Sequence, residues 1–322
     1  MRALITGVTG QDGRYLALLL KSQNYEVHGL TRFPVNSINP EILEDLAGTK
    51  LHNIQYNNYE ELKNVIKYID PQYIFNLSGM SSVHRSFSYL QETFQANLFI
   101  VEMILEAVIE LGLKRSVKIY QASSSEMYGA SRQTPQNEKT SFNPISPYGI
   151  SKLSAHHLCL QYRNREELFV STGILYNHES PKRSEEFVSR KITQNVARIS
   201  LGMSKELVLG NLDASRDWGH ARDYVDAMLK IIKHNEPDDF VISTGVGHSV
   251  LDFVKESFKA VGMEGEEAQF LKSSIEFTRK EDHSNLVGNA TKAYNVLHWE
   301  PKVDFKMLVA EMIEHDLEKF RG

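Results

Sequence analysis

The sequence predicts an α/β fold, a doubly wound parallel sheet with a smaller, interleaved α/β lobe. Three observations carry the prediction. Short apolar, β-rich runs alternate with segments of helical periodicity through the first half of the chain, a rhythm that specifies a parallel sheet covered on both faces. The first run, Arg2 to Thr6, passes straight into Gly7-Val8-Thr9-Gly10-Gln11-Asp12-Gly13 and then into a helix-like segment from Tyr15 to Lys21. Beyond Tyr176 the rhythm loosens, and segments suited to a second lobe alternate with segments that return to the sheet.

The opening loop is the most informative. Glycines at intervals of three, between a strand and a helix, let the backbone turn tightly and let a pyrophosphate approach the helix N-terminus. This is the dinucleotide-binding arrangement of a Rossmann-type sheet, and it makes Gly7, Thr9, Gly10, Gln11, Asp12 and Gly13 candidate cofactor contacts. The second strand, Tyr25 to Thr31, ends at the position that selects the cofactor. An acid there holds the ribose 2′-hydroxyl of NAD, whereas a cation accommodates the additional phosphate of NADP. Arg32 stands at that place, so NADP is expected, with Arg32 on its phosphate.

Phe33 to Pro40 reads as loop, a short strand is expected around Ile54-Gln55-Tyr56, and a helix over Glu60 to Ile69. Tyr73 to Leu77 is the next strand, and its carboxyl end presents Leu77 and Ser81 to whatever the glycine loop binds. Ala96 to Gly112 has helical spacing; Ser116 to Ala122 is a strand that ends at Ser123-Ser124-Ser125-Glu126. In extended backbone Ser124 and Glu126, two apart, face one site.

Ser146-Pro147 starts a helix bearing Tyr148 and Lys152, which, four residues apart, project from one face. A free phenol titrates near ~10 and a neighbouring ammonium favours the phenolate, so Tyr148 is expected to serve as a base near neutral pH. Leu168 to Tyr176 is a further strand, Asn177 to Pro181 a loop, Glu186 to Leu201 a helix with Arg190 and Lys191, and Leu207 to Asn211 a short strand. The helix Ala221 to His234 and the strand Phe240 to Thr244 return to the sheet, and a helix from Phe305 to Phe320 closes the lobe. Residues 1–176 and 216–247 are thus assigned to the sheet domain and 177–215 and 248–322 to the lobe. Because the two exchange segments, neither should be separable.

Composition excludes several classes. Of 322 residues, 24% are charged and 41% hydrophobic, ordinary for a soluble globular protein. A net charge of -5 without a basic stripe argues against a nucleic-acid partner. No apolar run approaches the ~20 residues of a membrane span. The chain enters its first strand almost at once, leaving no room for a signal peptide, so a cytoplasmic location is expected. The single cysteine, Cys159, reads as a buried small hydrophobe. Of the 12 histidines, the adjacent His156 and His157 diverge by about 100 degrees on a helix and read as surface residues, so no metal is expected. His178 and His220 are expected to position polar groups.

With these residues in view, the chain resembles the extended short-chain dehydrogenase/reductase family along almost its whole length, and within it the branch of the GDP-mannose 4,6-dehydratases. The matching runs are Thr6 to Gly13, Ser146 to Gly149 with Lys152, Gly173 to Pro181, Arg190 to Thr193, Leu209 to Asp213 and Arg216 to His220. Asn177 to Pro181 and Arg216 to Gly219 are far more specific than the glycine motif. The resemblance implies a redox-neutral lyase with NADP tightly bound and regenerated at each turnover. Tyr148 would remove the sugar C4 hydroxyl proton, assisted by Lys152, with Ser124 bonded to the C4 oxygen. Glu126 would take the C5 proton and help the C6 hydroxyl leave as water. Ser81, Ser124, Asn177, Lys191, Gly210, Arg216 and Arg279 would contact a GDP-hexose, and Asn58 the adenine side of the cofactor. A homodimer or homotetramer is expected.

The departures are equally specific. Ser124 stands for the family's threonine, Asn58 for an aspartate, Met80 for a glutamine, and Thr31-Arg32-Phe33 for a longer phosphate loop that the family also uses in tetramer contacts. Around Phe277 to Asp282 only Arg279 matches, which opens GDP-N-acetylglucosamine as an alternative substrate. A GDP-4-keto-6-deoxyhexose reductase would share Ser124, Tyr148 and Lys152 but consume NADPH. A catalytically silent NADP-binding regulator would not need Tyr148, Lys152 and Glu126 together.

Overall fold

The structure, a computed structural model, describes residues 1–273 and 286–321. In chain order its strands are β1 (Arg2–Thr6), β2 (Glu26–Thr31), β3 (Lys50–Asn53), β4 (Tyr73–Asn76), β5 (Lys118–Ser124), β6 (Val170–Leu175), β7 (Asn177–Glu179), β8 (Leu207–Leu209), β9 (Ser215–His220), β10 (Asp239–Ile242), β11 (Gly247–Ser249) and β12 (Leu271–Ser273). Seven of them form one parallel sheet in the order β10-β6-β5-β4-β1-β2-β3. The chain winds outward from β1 to β3, then returns to β4 beside β1 and winds the other way. The crevice beyond the carboxyl ends of β1 and β4 is therefore the switch point at which such sheets bind ligands.

Each face of the sheet is sealed by helices. Leu16, Leu20, Met228 and Ile232 cover one face, while Leu62, Ile66, Ile104 and Leu105 cover the other, all fully or almost fully buried. Strands buried on both sides need continuous apolar runs, which is why β1 and β4 read so clearly in the sequence. The lobe has its own core, in which Trp218, Phe253, Phe258 and Met312 pack together around a three-stranded sheet, β11-β9-β7, and the β12-β8 pair.

Several elements lie where the sequence did not suggest. The third strand is Lys50–Asn53, paired with β2 in the register His28↔Lys50 to Thr31↔Asn53, rather than 54–56. By residue 56 the chain has left the sheet, and Tyr56 reaches back to donate to the Leu30 carbonyl at 3.0 Å. Asn177–Glu179 is a strand rather than a loop, because Trp218 to His220 pair with it. That pairing also draws residues 215–220 into the lobe's sheet. Conversely Ala293, Leu297 and Trp299 pack against the large sheet's core, with Trp299 Nε1 donating to the Asp223 carbonyl at 2.9 Å. Among the described residues no helix is long and apolar enough to cross a membrane.

Candidate active site

A cleft of about 660 Å³ opens at the switch point and runs across into the lobe. Its cofactor end is built from backbone. Gly7 adopts φ +67, and a Cβ there would lie 2.9 Å from the Leu77 carbonyl oxygen; one at Gly13 would lie 2.5 Å from the Gly7 oxygen. Only glycine allows this close approach of loop, strand and helix. No side chain caps the helix Gln11–Ser22 that follows, and Gly10, Gln11 and Asp12 line the cleft at its start. Its first-turn amides and dipole therefore suit a diphosphate. Tyr56 fixes the loop by accepting from the Gly7 amide at 3.2 Å, and Arg32 lines the far edge.

The reactive end lies where β5 meets the helix Pro147–Glu166. The Ser146 hydroxyl caps that helix by accepting from the Gly149 amide at 3.0 Å, and Pro147 suits its first turn. Tyr148 and Lys152 then face the cleft, both buried. The Lys152 ammonium donates to the Ala122 carbonyl at 2.9 Å. Ser124 ends β5 and accepts from the Glu126 amide at 3.2 Å, so the serine and the carboxylate are set by one tight turn. The Ser124 hydroxyl also lies close enough to the Tyr148 phenol to draw its titration down.

Electrostatics overturn one expectation. Lys152 was expected to bring the phenol toward neutral pH, but burial pushes Tyr148 up to about 12; the Ser124 hydroxyl and Arg183 pull it down, and Glu126 pushes it up. Burial also pushes Lys152 down to about 8. Desolvation is the largest cause at both groups.

Beyond the reactive end, Asn177, Lys191, Gly210 and Arg216 line the lobe side of the cleft, above an apolar wall that includes Leu209, Trp218 and Val250. Arg183 also lines it, ion-paired to Glu179 at 3.1 Å, with its guanidinium 3.6 Å over the Phe187 ring.

The chain matches the model of the GDP-mannose 4,6 dehydratase family over residues 4–312. It is 41% identical to the GDP-mannose 4,6 dehydratase of Homo sapiens, over 99% of this chain and 92% of that one. It is 38% identical to the GDP-mannose 4,6-dehydratase of Vibrio cholerae, over 98% and 94%. The chain belongs to the GDP-mannose 4,6-dehydratase family. Among solved structures, the UDP-glucose 4-epimerase of Thermotoga maritima shares its fold, with a TM-score of 0.87 at 24% identity over 99% of this chain and 100% of that one.

Nearly all the residues singled out from the sequence meet in this family member's one cleft. Gly7, Thr9, Gly10, Gln11, Asp12, Gly13, Arg32, Leu77 and Ser81 line its cofactor side, and Ser124, Glu126, Tyr148 and Lys152 its centre. Asn58 does not join them. It is exposed, and its side chain accepts from the Glu61 amide at 3.2 Å to cap the helix Tyr59–Ile69, leaving Tyr56 to line the cleft. Arg279 lies outside the described residues. His156 is buried rather than on the helix surface, where Ser123 Oγ meets its Nδ1 at 3.0 Å and burial pulls it down to about 4, so it is neutral.

Two contributors escaped the sequence reading. Arg183 sits in a loop with no pattern to mark it. Asn97 lies on a π-helical turn, Gln95–Phe99, where it accepts from the Met80 amide and donates to Ser151 Oγ, each at 2.9 Å, tying the loop after β4 to the Tyr148 helix. A polar residue on the buried face of an apolar helix was the available signal.

Proposed function

We propose that this protein is an NADP-dependent GDP-mannose 4,6-dehydratase, converting GDP-mannose to GDP-4-keto-6-deoxymannose and water. The observation that carries this reading is the meeting of Glu126 with Ser124, Tyr148 and Lys152 in one cleft, since oxidation at C4 needs the latter three and elimination needs an additional acid/base. Membership of the family, at about 40% identity over the whole chain, supports the same reaction.

The glycine loop and Arg32 would hold NADP, which when bound takes hydrogen with its electron pair from C4, returns it at C6, and in its oxidised form brings positive charge to the pocket. Tyr148, as phenolate, accepts the C4 hydroxyl proton as the carbonyl forms. With a phenol held near 12 by the chain's own groups, loss of its proton to solvent awaits the cofactor's positive charge. Ser124 holds the C4 oxygen, and Lys152 contributes charge beneath it. The C4 carbonyl acidifies C5; Glu126 takes the C5 proton and delivers a proton to the departing C6 hydroxyl, releasing water. Tyr148 then passes the proton it took from the C4 hydroxyl to C5, which restores the phenolate. Lys191 and Arg216 would bind the diphosphate, with the apolar wall under the base.

The protein is proposed to act as a homodimer or homotetramer, which the exposed Phe87, Tyr89, Leu90 and Phe99 support. Dependence on a GDP-sugar and NADP, both cytoplasmic metabolites, fits the location suggested by the sequence. Incubation of the purified protein with GDP-mannose, and separately with GDP-N-acetylglucosamine, followed by mass spectrometry, tests the reading. Loss of one water from GDP-mannose supports it. Loss from the acetamido sugar alone reassigns the substrate, and stoichiometric NADPH consumption would indicate a reductase.

A further inference from the structure

The ring of His178 sits at the seam between the two halves of the cleft, and neither of its nitrogens faces a donor. Nδ1 lies 2.7 Å from the Tyr176 carbonyl oxygen and Nε2 lies 2.9 Å from Asp12 Oδ2. A neutral imidazole has one N–H and would leave one of these short contacts between two acceptors; only the imidazolium donates to both. The remaining possibility, a protonated Asp12 donating to a neutral ring, is opposed by the Arg183 charge and by the 3.1 Å hydrogen bond from Gln11 Nε2 to Oδ1, both of which favour the ionised carboxylate.

The pair belongs to a closed ring of contacts. Gln11 Nε2 also donates to the His178 carbonyl at 3.0 Å, and Gln11 Oε1 accepts from Ser180 Oγ at 2.7 Å. The Tyr224 ring stacks on His178 with centroids 4.5 Å apart. We infer that His178 is a protonated positioning residue whose imidazolium clamps Asp12 of the glycine loop to the strand carrying Asn177, fixing the cofactor half of the cleft against the nucleotide-sugar half. The inference rests on the proposed reading for the identity of the two ligands, but not for the charge.

The surroundings of the pair are consistent with it. Burial alone would lower His178, but the adjacent Asp12 charge raises it; burial would raise Asp12, but His178 and then Arg183 bring it down. Arg183, in the loop after β7, opposes the second charge on His178. The Tyr148 helix presents Tyr148 and Lys152 toward Asp12, and β5 presents Tyr120. Tyr224, on the helix Ala221–Lys233, is held neutral by burial. The clamp is complete below the raised folded-state titration of His178 and is lost as pH rises through it. At the acid end it is lost as pH falls through the depressed titration of Asp12.

The test is a long-range 1H–15N spectrum of the full-length protein, prepared with 15N-histidine, with the His178 signal assigned by its disappearance in His178→Gln. At pH 7.5, above the ordinary histidine range, both ring nitrogens should carry the imidazolium shift. In Asp12→Asn the same ring should be neutral at that pH. A neutral tautomer in the wild type, or an unchanged His178 signal in Asp12→Asn, overturns the inference. In steady-state assays His178→Gln should lower kcat/KM by about 100-fold, as for misplacement of a bound reactant, and the alkaline limb of the wild-type pH profile should move to lower pH in Asp12→Asn. An imidazolium signal with an unshifted limb and an unimpaired His178→Gln would overturn the positioning role. If no GDP-mannose were dehydrated by the wild type, the functional reading would fail while the spectrum still decided the charge.

Discussion

Lys152 donates its 2.9 Å hydrogen bond to the carbonyl of Ala122, joining the helix that carries the phenol to the strand that carries Ser124. The bond holds a buried ammonium whose titration lies down at about 8, against 10.5 for a free lysine. Below pH 8 both folded and unfolded chains carry this proton, so the cost of burying the charge is fully present, of order 3 kcal/mol at 1.36 per unit. Between 8 and 10.5 only the unfolded chain holds it, and stability rises with pH. Lys152→Met should therefore melt higher than the wild type at pH 7 while losing activity. The advantage should shrink toward pH 10, and a pH-independent difference in thermal melts would remove the burial penalty from the account.

Tyr148→Phe should lower kcat by about 10³, within the range for a lost acid/base group. Because the ring still fills its buried site, GDP-mannose affinity, measured calorimetrically, should change little. Retained turnover would exclude Tyr148 as the base.

Glu126→Gln keeps the shape and the amide contact to Ser124 but cannot accept the C5 proton. Reaction in deuterium oxide should place one deuterium at C5 in the wild type. The variant should show no such exchange and a kcat lower by 10²–10⁴. Normal labelled product from Glu126→Gln would assign the elimination to another group.

Gly7 and Gly112 have nearly the same backbone, φ +67 and +69, but a Cβ at Gly7 meets the Leu77 oxygen at 2.9 Å while one at Gly112 meets nothing within 4 Å. Alanine at either position should cost about 1–2 kcal/mol for the left-handed conformation. Only Gly7→Ala should lose further stability and cofactor, as read by melting temperature and by NADP content after gel filtration. Equal loss in the two variants would mean that the close approach to β4 has no role in binding.

The parallel sheet was legible because β1 and β4, enclosed by helices on both faces, carry continuous apolar runs, Ala3 to Ile5 and Tyr73 to Phe75, and β5 and β6 repeat the same alternation with helices. The site was legible because Tyr148 and Lys152 depend on helical spacing, and Ser124 and Glu126 on their closeness in the chain. What was hidden depended on partners far away in sequence. Asn177–Glu179 is a strand only because residues 218–220 lie beside it. Asn58, expected as a cofactor contact, instead caps the helix that starts at Tyr59. The height of the Tyr148 titration is a property of burial, which pairwise spacing does not show.

The buried pair of Arg190 and Asp316, 2.6 Å apart with both side chains almost fully enclosed, joins the helix Val188–Ser200, which also carries Lys191, to the helix Phe305–Arg321. A ribosome delivers these partners 126 residues apart. Until the later one emerges, the guanidinium of Arg190 lacks its buried carboxylate partner, and Leu308, Val309, Met312 and Ile313 are missing from the lobe's core. The seven-stranded sheet, by contrast, has its last strand once Ile242 is made. During synthesis every strand of the large sheet is thus made before the lobe's closing helix begins, with Ala293, Leu297 and Trp299 of the sheet's core following before that helix. A premature stop in the closing helix would release a chain with an intact sheet and an open, charge-bearing lobe, a natural substrate for chaperones and proteases.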